Sequence, residues 1–331
     1  MQNMITTQTP LLKNGKLLVS GYCTKMNFVY DKRQVRGSLK EWDFYQVLHE
    51  NRVLQFTVGH ITRFAQISAT VFDLKTGKRR SVGKILLRSS TVSRQLSENP
   101  EKPCTFQWFG KKMKVQIKVT SQSRRLILSA LDSKGVMAEI DVTLTNCSAE
   151  KDKMVIATPF KKPNQWYLNY KENCFVANGY CRIDDMEMKI VNGNGLIDWG
   201  RGVWPRKHSW VWGNGSTIVD GQHFGFNIGW GFGNTSNATE NMFFLDNKAY
   251  KLGEVQETRV GDAYRYTDKE HKFTFNVTPL FDNYTRTKAP TVNNSCHQVF
   301  GVWRGFVTLP NGKTLEIPPF VAFCEHAKNC W

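Results

Sequence analysis

The stretch "KMKVQIKV", residues 112–119, sets Met113, Val115, Ile117 and Val119 on one side of an extended chain. Lys112, Lys114, Gln116 and Lys118 fall on the other. That period of two marks a half-buried β-strand. "VMAEIDVTLT" (136–145) repeats it, with Val136, Ala138, Ile140, Val142 and Leu144 as the apolar face. Turn pairs punctuate the chain at Asn14-Gly15, Asp220-Gly221 and Asn311-Gly312. The last separates "GFVTL" from "KTLEI", a hairpin signature. Helical periodicity is scarce, and no βαβ repeat is visible. The run "EWDFYQVLHENRV" (41–53) fits a short helix or a strand equally well. The expected class is therefore all-β, antiparallel, with few short helices. Its strands must close into barrels or pack as sandwiches to hide their edges.

At 331 residues the chain is long enough for two domains or one large β-structure. Its net charge of +17 is uneven. Residues 1–160 carry 26 Lys/Arg against 12 Asp/Glu, and residues 161–331 carry 19 against 16. A polar, basic stretch at 148–163, "SAEKDKMVIATPFKKP", lies at the change. It sets the expected domains at 1–160 and 161–331. The basic first half is either a plain solvated surface or a face for an anionic partner, with an anionic membrane surface the candidate. Nucleic acid is not expected, because no recognisable motif accompanies the charge.

No run of 18 apolar residues occurs, and "MQNMITTQTPLLKNGK" has no basic segment followed by an apolar run, so neither a membrane helix nor a secretory signal is expected. A cytoplasmic protein is expected, with unused glycosylation sequons and cysteines that are small buried residues or free thiols. Glycine-rich phosphate loops, a G-x-S-x-G elbow and C-x-x-C pairs are missing from the sequence. Cys324, His326 and Cys330 make an incomplete zinc set. Neither metal nor cofactor is expected. The glycines of "GFNIGWGFG" (225–233) read best as barrel curvature.

The chemistry concentrates in "GNGLIDWGRGVWPRKHSWVWGNG", residues 193–215. Residues 193–233 hold five of the ten tryptophans. Strand alternation places Trp210 and Trp212 on one face, a wall for a flat or greasy ligand. Asp198 lies next to Trp199 in sequence. An acid desolvated against an indole keeps its proton to higher pH and can donate it near neutrality. Alternatively Arg201 pairs with Asp198 and keeps it ionised; the residues leave both roles open. Glu240-Asn241 and Glu325-His326 are further polar candidates that read as structural or surface groups.

"LLKNGKLLVSGY" (11–22), "KEWDFYQV" (40–47), "DWGRGVWPRKHSWVWGNGS" (198–216), the 225–255 stretch and the closing "EHAKNCW" together resemble the family called domain of unknown function 2804 (DUF 2804). The likeness runs nearly end to end. That family is similar to the group of carotenoid 1,2-hydratases, AttH-like proteins and tocopherol cyclase. The resemblance implies two consecutive lipocalin-like β-domains. Hydratase-like members carry a Gly…Asp…Trp motif, whose counterpart here is "NGNGLIDWG", matching Asp198 and Trp199. Their histidine beside the aspartate is replaced by Ile197. The implied activity is a hydratase, isomerase or cyclase acting on a small hydrophobic, terpenoid- or lipid-like ligand. Asp198 would be the acid. Trp199, Trp204, Trp210 and Trp212 would wall the pocket, and Arg201, Asn227 and Glu240 would orient polar groups. Two other readings stand beside it: a non-catalytic carrier of hydrophobic ligands, and a sugar- or polyanion-binding protein.

Overall fold

The computed structural model describes residues 2–62, 64–87, 90–131, 137–289 and 292–330. Val136 and Trp331 lie outside the described residues. The architecture is all-β, with two large antiparallel sheets in tandem. Among the described residues, helix is confined to Ser90–Gln95 and the 3₁₀ turn Lys32–Gln34.

The 112–119 alternation sets which face of the first sheet is buried. Met113, Val115 and Ile117 lie opposite Ala130, Leu128 and Leu126 on the neighbouring strand. They are buried in one core with Ile140, Val142 and Leu144, while Lys114 and Lys118 face solvent. Each such aliphatic side chain contributes about 1.5–3 kcal/mol by leaving water. This sheet has 12 strands. It runs from Cys104–Phe109 at one edge, through Trp166–Ile183, Met186–Val203 and Lys40–His49, to Arg79–Leu87 at the other. The ambiguous 41–53 run belongs to the two paired strands Lys40–His49 and Arg52–Ile61. Burial on both sides there erases a clean alternation.

The second sheet has 10 strands, among them Lys207–Val219, Gln222–Trp230, Val292–Thr308 and Thr314–Cys330. Asp220 and Gly221 both take left-handed φ, 50° and 77°, as their two-residue hairpin requires. The chain passes from one sheet to the other after Val203. The expected boundary at 160/161 falls within the first sheet, between Met154–Pro159 and Trp166–Ile183, which pair with each other. The two sheets meet on an aromatic seam. Phe72 packs on Phe300 with centroids 5.4 Å apart, and Phe44 packs edge-on to Trp212 at 6.1 Å. The eight cysteines are free thiols, of which Cys23, Cys174, Cys181 and Cys324 are buried. No helix among the described residues is long and apolar enough to cross a membrane.

Candidate functional site

A cavity of about 430 Å³ opens where the sheets face each other, within the range of small-molecule sites. Two rows of cross-strand neighbours build it. In the first sheet Lys171, Asp198 and Phe44 are adjacent in register on three successive strands, and all three line the cavity. In the second, Gln298, Glu325 and Trp212 form the matching row, and these line it too. Trp42, Tyr167, Trp204, Trp210 and Phe232 add to the aromatic wall.

Strand alternation sorts the expected site residues. Asp198 points into the cavity; Trp199 and Arg201, one and three positions on, point to the far face of the same strand. Trp199 belongs to the core beneath, with Tyr30 and Trp166, and walls nothing. Arg201 does not pair with Asp198. Its guanidinium is fully buried, 2.8 Å from Asp43 Oδ1 and 3.5 Å from Glu41 Oε1, and it stacks 4.1 Å from the Trp199 ring. Burial alone would raise Glu41, yet the His60 hydrogen bond and the Arg201 and Lys32 charges bring it to about 2. Trp204, Trp210, Trp212 and Glu240 line the cavity. Asn227 stands behind it, accepting from Trp212 Nε1 at 2.7 Å and donating to Glu240 Oε2 at 3.1 Å.

Glu41, Asp198, Glu240 and Glu325 line this aromatic space, and the last three differ in environment. Asp198 accepts from Asn169 Nδ2 at 2.6 Å. Burial raises its pKa and the Glu240 charge adds to this, against the opposing pull of Lys171 and of the Asn169 and Trp42 hydrogen bonds. Glu325 is pushed up to about 7, chiefly by burial, with the Asp198 charge adding to it. Its Oε1 accepts from Trp210 Nε1 at 2.7 Å and its Oε2 from Gln298 Nε2 at 3.2 Å. Glu240 is tied to Lys171 at 2.6 Å, and the Lys171 ammonium lies 4.2 Å from the Trp212 ring centroid. His208, stacked on Trp210, is lowered to about 4 by burial, so it is neutral at pH 7.

Glycines on the strand Gln222–Trp230 mark close approaches. A Cβ at Gly229 would sit 2.3 Å from the Glu240 carboxylate, and one at Gly225 would sit 2.8 Å from Cys174 Sγ. Close approach, more than curvature, accounts for that glycine-rich strand. At Gly200 a Cβ would lie 2.4 Å from the Trp42 indole, which hydrogen-bonds Asp198. Gly200→Ala is therefore expected to displace Trp42 and cost about 1–3 kcal/mol in denaturant unfolding, with an altered near-ultraviolet circular dichroism spectrum. An unchanged spectrum would show that Trp42 is not held by this contact.

Lys171 and Glu325 are the site residues that sequence reasoning missed or undervalued. One signal pointed to Lys171. Asn169, Lys171 and Asn173 alternate along one strand and are all buried. Such a polar row on a buried strand faces a polar partner or a ligand.

Solved structures with a similar fold were found. An AttH-like protein from Nitrosomonas europaea aligns with a TM-score of 0.56 and 12% identity, covering 87% of this chain and 92% of its own. Kievitone hydratase from Nectria haematococca aligns at 0.53 and 11%, covering 89% of each chain. CghA, solved with Sch210972, aligns at 0.51 and 9%, covering 99% and 96%. At such identities the likeness is one of fold, and that fold is lipocalin-like. No curated protein matches the sequence. The profile of the domain of unknown function DUF2804 matches residues 2–331, so from end to end the chain belongs to the DUF2804 family.

Proposed function

We propose that the protein is a proton-transfer enzyme that hydrates, isomerises or cyclises an alkene-bearing small molecule, with Asp198 and Glu325 as the exchanging pair. The observation that carries this reading is the placement of two carboxyls of raised pKa inside an aromatic cavity. One carboxyl donates its proton to an alkene carbon. The carbocation that forms either takes up water, whose surplus proton passes to a carboxylate, or loses a neighbouring C–H proton to the other group. Indole faces at Trp210 and Trp212 stabilise developing positive charge. Glu325 straddles neutrality and is the proton holder at pH 7. Glu240, neutralised by Lys171, keeps that ammonium at the cavity wall. The fold likeness to a hydratase supports the reaction class. A simple carrier has no use for buried titratable groups, each of which costs stability when desolvated.

Native mass spectrometry of protein purified from its source should show a retained apolar ligand. Asp198→Asn is expected to lower turnover of that ligand by about 10²–10⁴-fold while folding and ligand retention survive. Full turnover in Asp198→Asn, or its failure to fold, would remove Asp198 from the chemistry.

A further inference from the structure

The cavity mouth carries a cation with no acidic partner. Arg79, on Arg79–Leu87 of the first sheet, reaches across to Asn283 of the second, donating from Nη1 to Oδ1 at 3.1 Å. It lines the cavity, and among the described residues no carboxylate bridges it. Partial burial lowers its pKa. Other basic groups nearby are engaged: Lys171 pairs with Glu240, and Lys40 donates to the Trp204 carbonyl at 3.1 Å.

From Arg79 a chain of side-chain hydrogen bonds leads inward. Asn283 Nδ2 donates to Gln298 Oε1 at 3.1 Å, and Gln298 Nε2 donates to Glu325 Oε2 at 3.2 Å. Every donor along it points toward Glu325, so the amides are oriented from mouth to acid. A guanidinium has five donors in a fork that matches a carboxylate. Arg79 spends one of them on Asn283. The mouth is thus cationic and the interior aromatic, a polarity that fits one class of molecule.

We propose that Arg79 is an anion subsite and that the ligand is an amphipathic acid. Its carboxylate sits on Arg79 at the mouth, and its apolar body lies among Phe44, Trp210 and Trp212. The inference rests on the apolar-ligand reading above and narrows it. Arg79 would then set the depth at which the alkene reaches Glu325.

Decanoate and 1-decanol share a chain and differ in charge, and both can be titrated into the intact protein by tryptophan fluorescence. Wild type is expected to bind decanoate at least about tenfold more tightly than decanol. Arg79→Gln should abolish that preference and leave decanol binding unchanged. Arg79→Lys, which keeps the charge but not the fork, should retain part of it. Equal affinities in wild type, or a preference that survives in Arg79→Gln, would overturn the anion subsite alone. Binding of neither compound would overturn the apolar cavity reading along with it.

Discussion

Arg201→Met is expected to destabilise the fold by about 3–5 kcal/mol, because removing one partner from a buried ion cluster strands the others. Glu41 and Arg201 are both fully buried, and Asp43 is nearly so. Methionine fills much of the volume and keeps contact with Trp199, but leaves Glu41 without a guanidinium, facing Lys32, His60 and the Ser93 hydroxyl. Arg201 also donates to the Trp42 carbonyl at 2.7 Å and the Ser97 carbonyl at 3.0 Å, so several acceptors lose their donor at once. Asp198→Asn, on the other face of the same strand, should change stability by less than about 1 kcal/mol, since Asn169 and Trp42 can still donate to its remaining oxygen. Urea unfolding of the two variants at pH 7 separates the roles. A larger loss from Asp198→Asn than from Arg201→Met would reverse the assignment of scaffold and site.

Glu325→Gln should stabilise the protein at alkaline pH and abolish its chemistry. The Glu325 carboxyl rises from an ordinary 4.5 to about 7 on folding, so the folded state binds this proton more tightly than the unfolded one. Stability is therefore lost as pH climbs from 4.5 to 7, and is flat above that. At about 1.4 kcal/mol per pH unit the loss reaches about 3 kcal/mol. A glutamine cannot ionise and escapes it. Melting temperatures of wild type and Glu325→Gln should coincide near pH 4.5 and diverge by pH 8, with the variant higher. Turnover should fall about 10²–10⁴-fold. Parallel stability curves across this range would mean that Glu325 ionises normally.

The strands were legible wherever one face met solvent, as at 112–119 and 137–145, because alternation survives only there. It failed at 41–53, where Tyr45, Gln46 and Val47 are buried in succession. In the 193–215 run the tryptophans and Asp198 were recognisable as a cluster, but sequence adjacency misled. The motif sets Trp199 beside Asp198, yet neighbours on a strand face opposite ways, and Trp199 packs in the core. The partners of Arg201 were illegible for another reason. Glu41 and Asp43 lie some 160 residues away and meet it only through register between Lys40–His49 and Met186–Val203. Glu325 looked like a tail residue beside His326, which pairs with Glu257 on the half-exposed face. Only the pairing of the last strand with Lys207–Val219 sets Glu325 opposite Trp212 and into the cavity.

The central claim is that a carboxyl inside this aromatic cavity keeps its proton near neutral pH. The carboxyl ¹³C resonance of Glu325, assigned by its loss in Glu325→Gln, measures this when followed from pH 4 to 9. A midpoint close to 7 is the expected result. A midpoint near the ordinary 4.5 would contradict the account, leaving Glu325 ionised at physiological pH with no proton to donate.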